Sequence, residues 1–171
     1  MTGFVRPGNP KRHLWEMTLG EFLDQASAYS PEKIWLYSGN EHVSYAEFQK
    51  KTQRTAGLFR SLGISRGDTV CVFLPNSLEF LACWFGLARL GAICVPINTA
   101  YKYEEASYIV ENARAKILIA HASVIDVANE VKKTAPFVRQ HISIEADYQK
   151  GWLDFATVLD ASEPIKESPG V

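Results

Sequence analysis

The chain has 171 residues, and its 47% hydrophobic and 22% charged residues are typical of a globular protein and exclude a disordered one. Its formal net charge of −1 provides no strongly basic surface, so we expect no nucleic-acid partner and no binding to anionic membranes. The most apolar segment, residues 80–88, is too short to cross a bilayer, and no apolar stretch near the N-terminus resembles a signal peptide. We therefore expect no transmembrane segment and a cytoplasmic location.

The N-terminal part of the chain predicts an arm, a helix and a hairpin. Residues 1–17 begin with prolines and glycines and lack periodicity, so we expect an arm laid over the surface. Thr18 and Glu21 fit a capping box at the start of a short helix. Two short strands, at 34–37 and 41–44, flank a Ser-Gly-Asn turn and predict a β-hairpin.

An amphipathic helix is predicted between Ser44 and Gly63. Ser44 and Glu47 fit a second capping box, and Gly63 is the expected terminator. Its predicted inward stripe consists of Tyr45, Phe48, Thr52, Ala56, Phe59 and Leu62. The basic residues Lys50, Lys51, Arg54 and Arg60 lie mostly outside that stripe. They form either an anion-binding face or a solvated surface, and the pattern favours the solvated surface.

Residues 67–101 are predicted to form one strand–helix–strand unit. The apolar, partly β-branched runs at 69–74 and 93–96 are typical of strands buried on both faces. A helix over 77–90 separates them, and a crossover of this length implies that the two strands pair in parallel with a right-handed connection.

The helix of this unit is apolar nearly all round, which predicts packing on several sides. Asn76 is its expected N-terminal cap, and Gly91 is its expected left-handed terminator. We expect Trp84 to be packed inside, so that its replacement by alanine costs about 3–5 kcal/mol.

The alternation of strands and helices continues after the central unit. The predicted elements are a helix at 103–112, a strand at 117–120, a helix marked by apolar residues from 124 to 131, a strand at 141–144 and a last helical turn or two between 152 and 159. This alternation predicts an α/β fold with a mainly parallel sheet and helices on both faces. The segment 161–171 contains two prolines and one glycine, and we expect it to be unanchored.

Ligands of parallel sheets bind at the carboxyl ends of the strands, so the loops 75–77, 98–101 and 121–123 are the candidate site loops. None contains a glycine-rich phosphate-binding sequence. His121 could act as an acid or base, but no cysteine, serine or carboxylate is identified as its partner.

The three cysteines, Cys71, Cys83 and Cys94, fit no zinc pattern, and we expect them to be small buried hydrophobic residues kept reduced. The other histidines are isolated in the sequence. We therefore assign no catalytic residue and no metal site to this chain.

Five short blocks stand in a fixed order between residues 45 and 98. They are Y-A-E-F at 45–48, L-G-I-S-R-G-D-T-V at 62–70, L-P-N-S-L-E-F at 74–80, W-F-G-L-A-R-L-G-A-I at 84–93 and V-P-I-N at 95–98. In order and spacing they resemble the N-terminal part of the adenylate-forming enzymes, which include acyl-CoA synthetases, carrier-protein adenylation domains and luciferases. Within that family, C-W-F-G-L-A at 83–88, followed by V-P-I-N and by E-E-A at 104–106, is most similar to crotonobetaine/carnitine–CoA ligases and to their short- or medium-chain acyl-CoA synthetase relatives.

The resemblance implies an ATP-dependent acyl-CoA ligase that uses ATP, Mg²⁺ and coenzyme A. In this reaction a small carboxylate attacks the α-phosphate of ATP to give an acyl-adenylate, and the thiol of coenzyme A then displaces AMP. The loop after V-P-I-N lies near the coenzyme A channel in such enzymes, which makes Asn98 and Thr99 candidate cofactor-binding residues. An alternative also stays open, in which Asn98 only hydrogen-bonds its own turn. Assembly into a homo-oligomer is a further open possibility.

The family's phosphate loop, ribose-binding aspartate, hinge and lid lysine match no stretch of this chain. We therefore expect residues 18–160 to be the N-terminal lobe of such a ligase and 161–171 to be a tail that leads to the phosphate loop. By itself the fragment is expected to bind no cofactor and to be inactive. Two other hypotheses stay open: a lobe of a carrier-protein adenylation enzyme, and a non-catalytic α/β binding module.

Overall fold

A computed structural model describes residues 17–39, 41–147 and 150–166, so the predicted arm lies almost entirely outside the described residues. In the described part, the helices are α1 (Leu19–Tyr29), α2 (Tyr45–Ser61), α3 (Leu78–Arg89), α4 (Tyr103–Ala113), α5 (Ile125–Thr134) and α6 (Phe155–Asp160). The strands are β1 (Ile34–Ser38), β2 (Glu41–Ser44), β3 (Thr69–Phe73), β4 (Ile93–Pro96), β5 (Ile117–His121), β6 (Gln140–Ile144) and β7 (Leu153–Asp154). None of the described helices has both the length and the hydropathy required to span a membrane.

A five-stranded sheet in the order β4-β3-β5-β6-β7 forms the centre of the fold, and all its strand pairs are parallel. β3 lies between β4 and β5, so that Val72 pairs with Pro96 on one side and with Ile119 on the other. This arrangement confirms the predicted α/β class. The two-residue strand β7 was not predicted, because so short a segment carries no periodicity.

Helices cover both faces of this sheet, as predicted. In β3, Val70 and Val72 face the layer of α2, α3 and α6, whereas Cys71 and Phe73 face the layer of α4 and α5. This alternation follows from the two-residue period of a strand, and it explains why β3 is apolar from Val70 to Phe73. The core therefore has two halves, one on each side of the sheet.

An outer layer of α1 and the β1–β2 hairpin packs on α2 and α3. Trp35 of the hairpin stacks on Phe48 of α2 with ring centroids 4.1 Å apart, and Phe85 of α3 meets Phe48 edge-to-face at 5.1 Å. The antiparallel pairing of β1 with β2 confirms the predicted hairpin, although Asn40 of its turn lies outside the described residues. α2 is consequently buried on two sides.

Both predicted capping boxes are present. The Thr18 hydroxyl accepts from the Glu21 N–H at 3.2 Å, while the Glu21 carboxylate accepts from the Thr18 N–H at 2.8 Å. Ser44 and Glu47 make the same reciprocal pair at the start of α2. These bonds satisfy amide groups that a helix N-terminus leaves without intrahelical partners.

Two predictions about α3 were wrong. The N-terminal cap is Ser77 and not Asn76, because the helix begins at Leu78. The Ser77 hydroxyl accepts from the Phe80 N–H at 3.1 Å. Trp84 is 47% exposed rather than packed inside. Cys83 and Leu87 of α3 pack against the sheet, and Phe85 packs against the outer layer. Trp84 lies on neither of these two buried faces of the helix.

The prediction that β4 is buried was also wrong. β4 pairs only with β3 and forms one edge of the sheet, and Ile93 is 51% exposed. Apolar, β-branched residues favour a strand at the edge as well as in the centre, so composition could not distinguish the two positions.

The first part of the segment 161–171 is anchored, contrary to expectation. The Ile165 N–H donates to the Gln53 carbonyl of α2 at 2.9 Å, and the Ile165 side chain is only 6% exposed. The backbone of Glu163 also lies against Gly57, where no larger residue would fit. One buried isoleucine in a short segment gives no periodic signal, which is why this contact was not predicted.

Candidate functional site

A cleft of about 580 Å³ opens at the carboxyl ends of β3 and β4. Its walls are formed by Leu74, Pro75, Asn76, Phe80, Pro96, Ile97, Asn98, Thr99, Tyr101 and Ile109. Two of the three predicted site loops, 75–77 and 98–101, therefore meet at one place. This is where a parallel sheet is expected to bind its ligand.

The cleft opens here because the β3–β4 ladder ends. The last bond runs from the Ile97 N–H to the Val72 carbonyl at 2.9 Å, one residue beyond the end of β4. Ile97 is buried in the core beside α4, which fixes the point at which the loop leaves the sheet.

Asn98 uses its side chain to shape this loop. Its Oδ1 accepts from the Ala100 N–H at 3.0 Å, and its carbonyl accepts from the Tyr101 N–H at 2.9 Å. Asn98 thus hydrogen-bonds its own turn, as one of the two interpretations of the sequence requires. The Nδ2 group of Asn98 makes no further bond within the described residues, so its two donors remain for a ligand.

Every side chain that lines the cleft is uncharged. Phe80 and Ile109 supply apolar walls, while Asn76, Asn98 and Thr99 supply amide and hydroxyl groups. Such a surface suits a slender, uncharged ligand segment that carries amide groups, and it offers nothing to neutralise a triphosphate.

The third predicted loop lies outside this cleft, and His121 has partners that the sequence did not identify. Its Nδ1 accepts from the Ser123 N–H at 3.0 Å, and its Nε2 lies 3.2 Å from Glu145 Oε2. The sequence identified no partner for His121, whereas the structure places Ser123 and Glu145 beside its ring. Parallel pairing of β5 with β6 places His121 opposite Ile144 and hence beside Glu145, a relationship that sequence spacing does not reveal.

The contacts of His121 hold its loop rather than activate a nucleophile. Because Nδ1 accepts from a backbone amide, the ring proton is assigned to Nε2, which then donates to Glu145. The Ser123 hydroxyl is 2.9 Å from the same Nδ1, whose lone pair already receives the amide proton. A general base would need that lone pair free.

The cysteines are free, and burial prevents them from acting as nucleophiles. Burial raises the pKa of Cys71 to about 12 and that of Cys94 to about 11, and it also raises the pKa of Cys83. All three thiols therefore stay protonated at neutral pH. Cys71 and Cys83 are buried and free, as predicted, whereas Cys94 on the edge strand is free but only partly buried. Among the described residues, no group of three or more His, Cys, Asp or Glu side chains could hold a metal ion.

The fold and the cleft define the class of protein. Residues 22–170 match the model of the AMP-binding enzyme family, and the chain belongs to that family. The resemblance inferred from the five sequence blocks is thereby confirmed.

The crotonobetaine/carnitine–CoA ligase of Salmonella arizonae is 35% identical over 139 residues, which cover 80% of this chain and 26% of that enzyme. The chain thus spans about a quarter of the length of the curated relatives it matches.

Solved structures of the same class share the fold. The N-terminal domain of FACL13 from Mycobacterium tuberculosis, with an inhibitor bound, is 29% identical with a TM-score of 0.76, over 90% of this chain and 37% of that one. The anthranilate CoA ligase AuaEII, in complex with anthranoyl-AMP, has a TM-score of 0.85 at 22% identity, over 91% of this chain and 30% of that one. At 22% identity, the comparison with the anthranilate CoA ligase shows a shared fold and nothing more.

Proposed function

We propose that this chain is the N-terminal lobe of an acyl-CoA ligase that couples a small carboxylate to coenzyme A with ATP and Mg²⁺. The observation that carries the proposal is the 35% identity over 139 residues with a crotonobetaine/carnitine–CoA ligase. Carnitine-like acids and short- or medium-chain fatty acids are the proposed substrates. A carrier protein is not favoured as the acceptor, because these relatives are named as CoA ligases.

The uncharged cleft between β3 and β4 supports a role in holding the pantetheine arm of coenzyme A. That arm is slender, carries two amide groups and bears no charge, which suits apolar walls with a few amide and hydroxyl groups. We propose Asn98 and Thr99 as its contacts, with Asn98 Nδ2 donating to an amide carbonyl. No residue of this cleft is proposed to hold ATP or Mg²⁺, because the cleft has no cationic side chain, carboxylate or glycine-rich loop.

Expression of the complete open reading frame tests the activity. AMP release is measured with carnitine, crotonobetaine and fatty acids, each with and without coenzyme A. We expect AMP release that depends on coenzyme A with at least one of these acids, and none with the 171-residue chain alone. If no acid gives AMP release that depends on coenzyme A, the ligase proposal fails.

Replacing Thr99 with tyrosine in the complete protein tests the cleft separately. The added ring narrows the cleft, and we expect the KM for coenzyme A to rise about tenfold, equivalent to a loss of about 1.4 kcal/mol of binding. ATP–pyrophosphate exchange, which reports adenylate formation alone, should be unchanged. Thr134→Tyr, at an exposed position on α5, is the matched control. An equal loss in both half-reactions, or no loss in either, would contradict the assignment.

A further inference from the structure

A second cleft, separate from the first, lies between α2, the end of α6 and the segment 164–166. Its volume is about 680 Å³, within the range of small-molecule sites. Its lining consists of Gln49, Lys50, Lys51, Gln53, Arg54, Leu159, Asp160, Pro164 and Lys166. It shares no residue with the β3–β4 cleft.

The lining is strongly cationic in a chain whose net charge is −1. Four basic side chains face one carboxylate, that of Asp160. The Arg54–Asp160 pair is 4.0 Å long, and the Asp160 side chain is 83% exposed, so this contact contributes little. Among these four cations, only Lys51 has a close acidic partner within the described residues, namely Glu79 at 3.1 Å.

Two of these cations, Lys50 and Lys166, form no salt bridge with a carboxylate in the part of the chain that the structure describes. Lys50 still acts on an acidic neighbour, because the pKa of Glu47 is lowered by its hydrogen bonds with Ser44 and further by the charge of Lys50. Lys50 lies on α2 and Lys166 is the last described residue, so the periodicity of α2 alone does not explain why they line one cleft. Like charges held together repel one another, and this repulsion is relieved when an anion binds between them.

The segment that carries Lys166 is fixed to α2. The Ile165 N–H donates to the Gln53 carbonyl at 2.9 Å, and the Ile165 side chain is buried. The Glu163 carbonyl lies so close to Gly57 that a Cβ there would be 1.8 Å from it. The backbone that carries Lys166 is therefore fixed to α2 before a ligand arrives, which lowers the entropy lost on binding.

We propose that this cleft binds a phosphate-bearing anion of two or more negative charges. Lysine ammonium groups bind phosphate as point charges, and the Arg54 guanidinium can donate to two phosphate oxygens at once. Leu159 and Pro164 give the cleft an apolar side against which an organic part of the ligand packs. The inference concerns a site on α2 and does not depend on the ligase assignment.

Inorganic pyrophosphate is the probe, titrated into the 171-residue chain by calorimetry at low and at physiological ionic strength. We expect saturable binding to one site that weakens as salt rises. Lys50→Gln and Lys166→Gln should each weaken it about tenfold, as expected for the loss of one charge-assisted hydrogen bond. Arg60→Gln, which removes the same charge from an exposed position of α2 outside the cleft, should leave binding unchanged.

Thermal melts establish that each variant is folded before its binding is compared. Non-saturable binding, or the same weakening in Arg60→Gln as in Lys50→Gln, would show only general attraction to a solvated basic surface and would overturn the proposal. Because the readout is binding rather than thioester formation, its failure leaves the proposed function untouched.

Discussion

Arg89 Nη1 donates to Asp24 Oδ2 at 3.0 Å, and the Nη2 atom of the same guanidinium bonds the other carboxylate oxygen. The Arg89 side chain is completely buried, and its Nε also donates to Thr52 Oγ1 at 3.1 Å. One guanidinium therefore joins α3 to α1 and α2. Its planar fork matches the carboxylate, a geometry that lysine could not reproduce.

Removing the carboxylate from this pair should be costly. Asp24→Ala leaves a buried cation without its counter-charge, and we expect the free energy of unfolding to fall by about 3–5 kcal/mol in urea denaturation. Glu79→Ala is the control, since it breaks the partly exposed Lys51–Glu79 pair and should cost less than about 1 kcal/mol. Similar losses in the two variants would mean that the Arg89–Asp24 pair contributes no more than a surface contact.

Trp84 and Phe85 are neighbours on α3 but differ in burial, at 47% and 9% exposed. Trp84→Ala should lower the free energy of unfolding by only about 1 kcal/mol, because much of its ring already contacts water. Phe85→Ala should cost about 3–5 kcal/mol, since it removes an edge-to-face partner of Phe48 and leaves a cavity. Urea denaturation of both variants gives the comparison. A loss at Trp84 as large as that at Phe85 would contradict the exposed placement of its ring.

Gly57 allows the segment after α6 to lie against α2. Alanine normally stabilises a helix by up to about 1 kcal/mol relative to glycine. Here its Cβ would lie 1.8 Å from the Glu163 carbonyl, so we expect Gly57→Ala to cost about 1–3 kcal/mol or to displace the segment. The same substitution in a chain that ends at Asp160 should be neutral or stabilising in thermal melts. Destabilisation in both backgrounds would place the cause within α2.

His141 makes stability depend on pH. Burial, reinforced by the positive charge of Lys132, lowers the pKa of His141 from 6.5 to about 4. Its ring packs edge-on against Trp152, and its buried Nε2 has no hydrogen-bond partner among the described residues. As pH falls from 6.5 toward 4, the unfolded chain therefore binds a proton that the folded chain does not, and folding becomes less favourable by up to about 3 kcal/mol.

His141→Phe keeps a ring against Trp152 and removes the titrating group. The free energy of unfolding, measured from pH 7 to pH 4, should fall less steeply in this variant than in the unchanged chain. The difference between the two curves isolates His141 from the carboxylates that also titrate at acid pH. Parallel curves would show that the histidine is protonated as readily in the folded chain as in the unfolded one.

The sequence predicted those features that depend on neighbouring residues. Thr18 with Glu21 and Ser44 with Glu47 lie three residues apart, so each pair reveals a helix start without knowledge of the fold. Gly91, with φ of +66°, was predicted as a helix terminator for the same reason. Alternating apolar runs and helices were sufficient to predict the parallel sheet.

Features that depend on distant contacts were not predictable in this way. Ile93 has the composition of a buried strand residue, and only the order of the strands puts it at an edge. Arg89 interrupts an apolar helix, yet its burial depends on Asp24 in another helix. At the site, the loop of Asn98 and Thr99 was predictable from strand ends, whereas the His121–Glu145 contact required the register of β5 with β6.

The parallel pairing throughout the five-stranded sheet has a consequence for how the chain reaches its native state. A hairpin turn cannot start such a sheet, because the first β3–β4 bond requires the intervening segment to loop back completely. Loop closure must therefore precede most of the stabilising contacts, and this order slows folding and prolongs the lifetime of partly collapsed chains. Newly synthesised copies should accordingly depend on chaperones more than a helical bundle of equal size does.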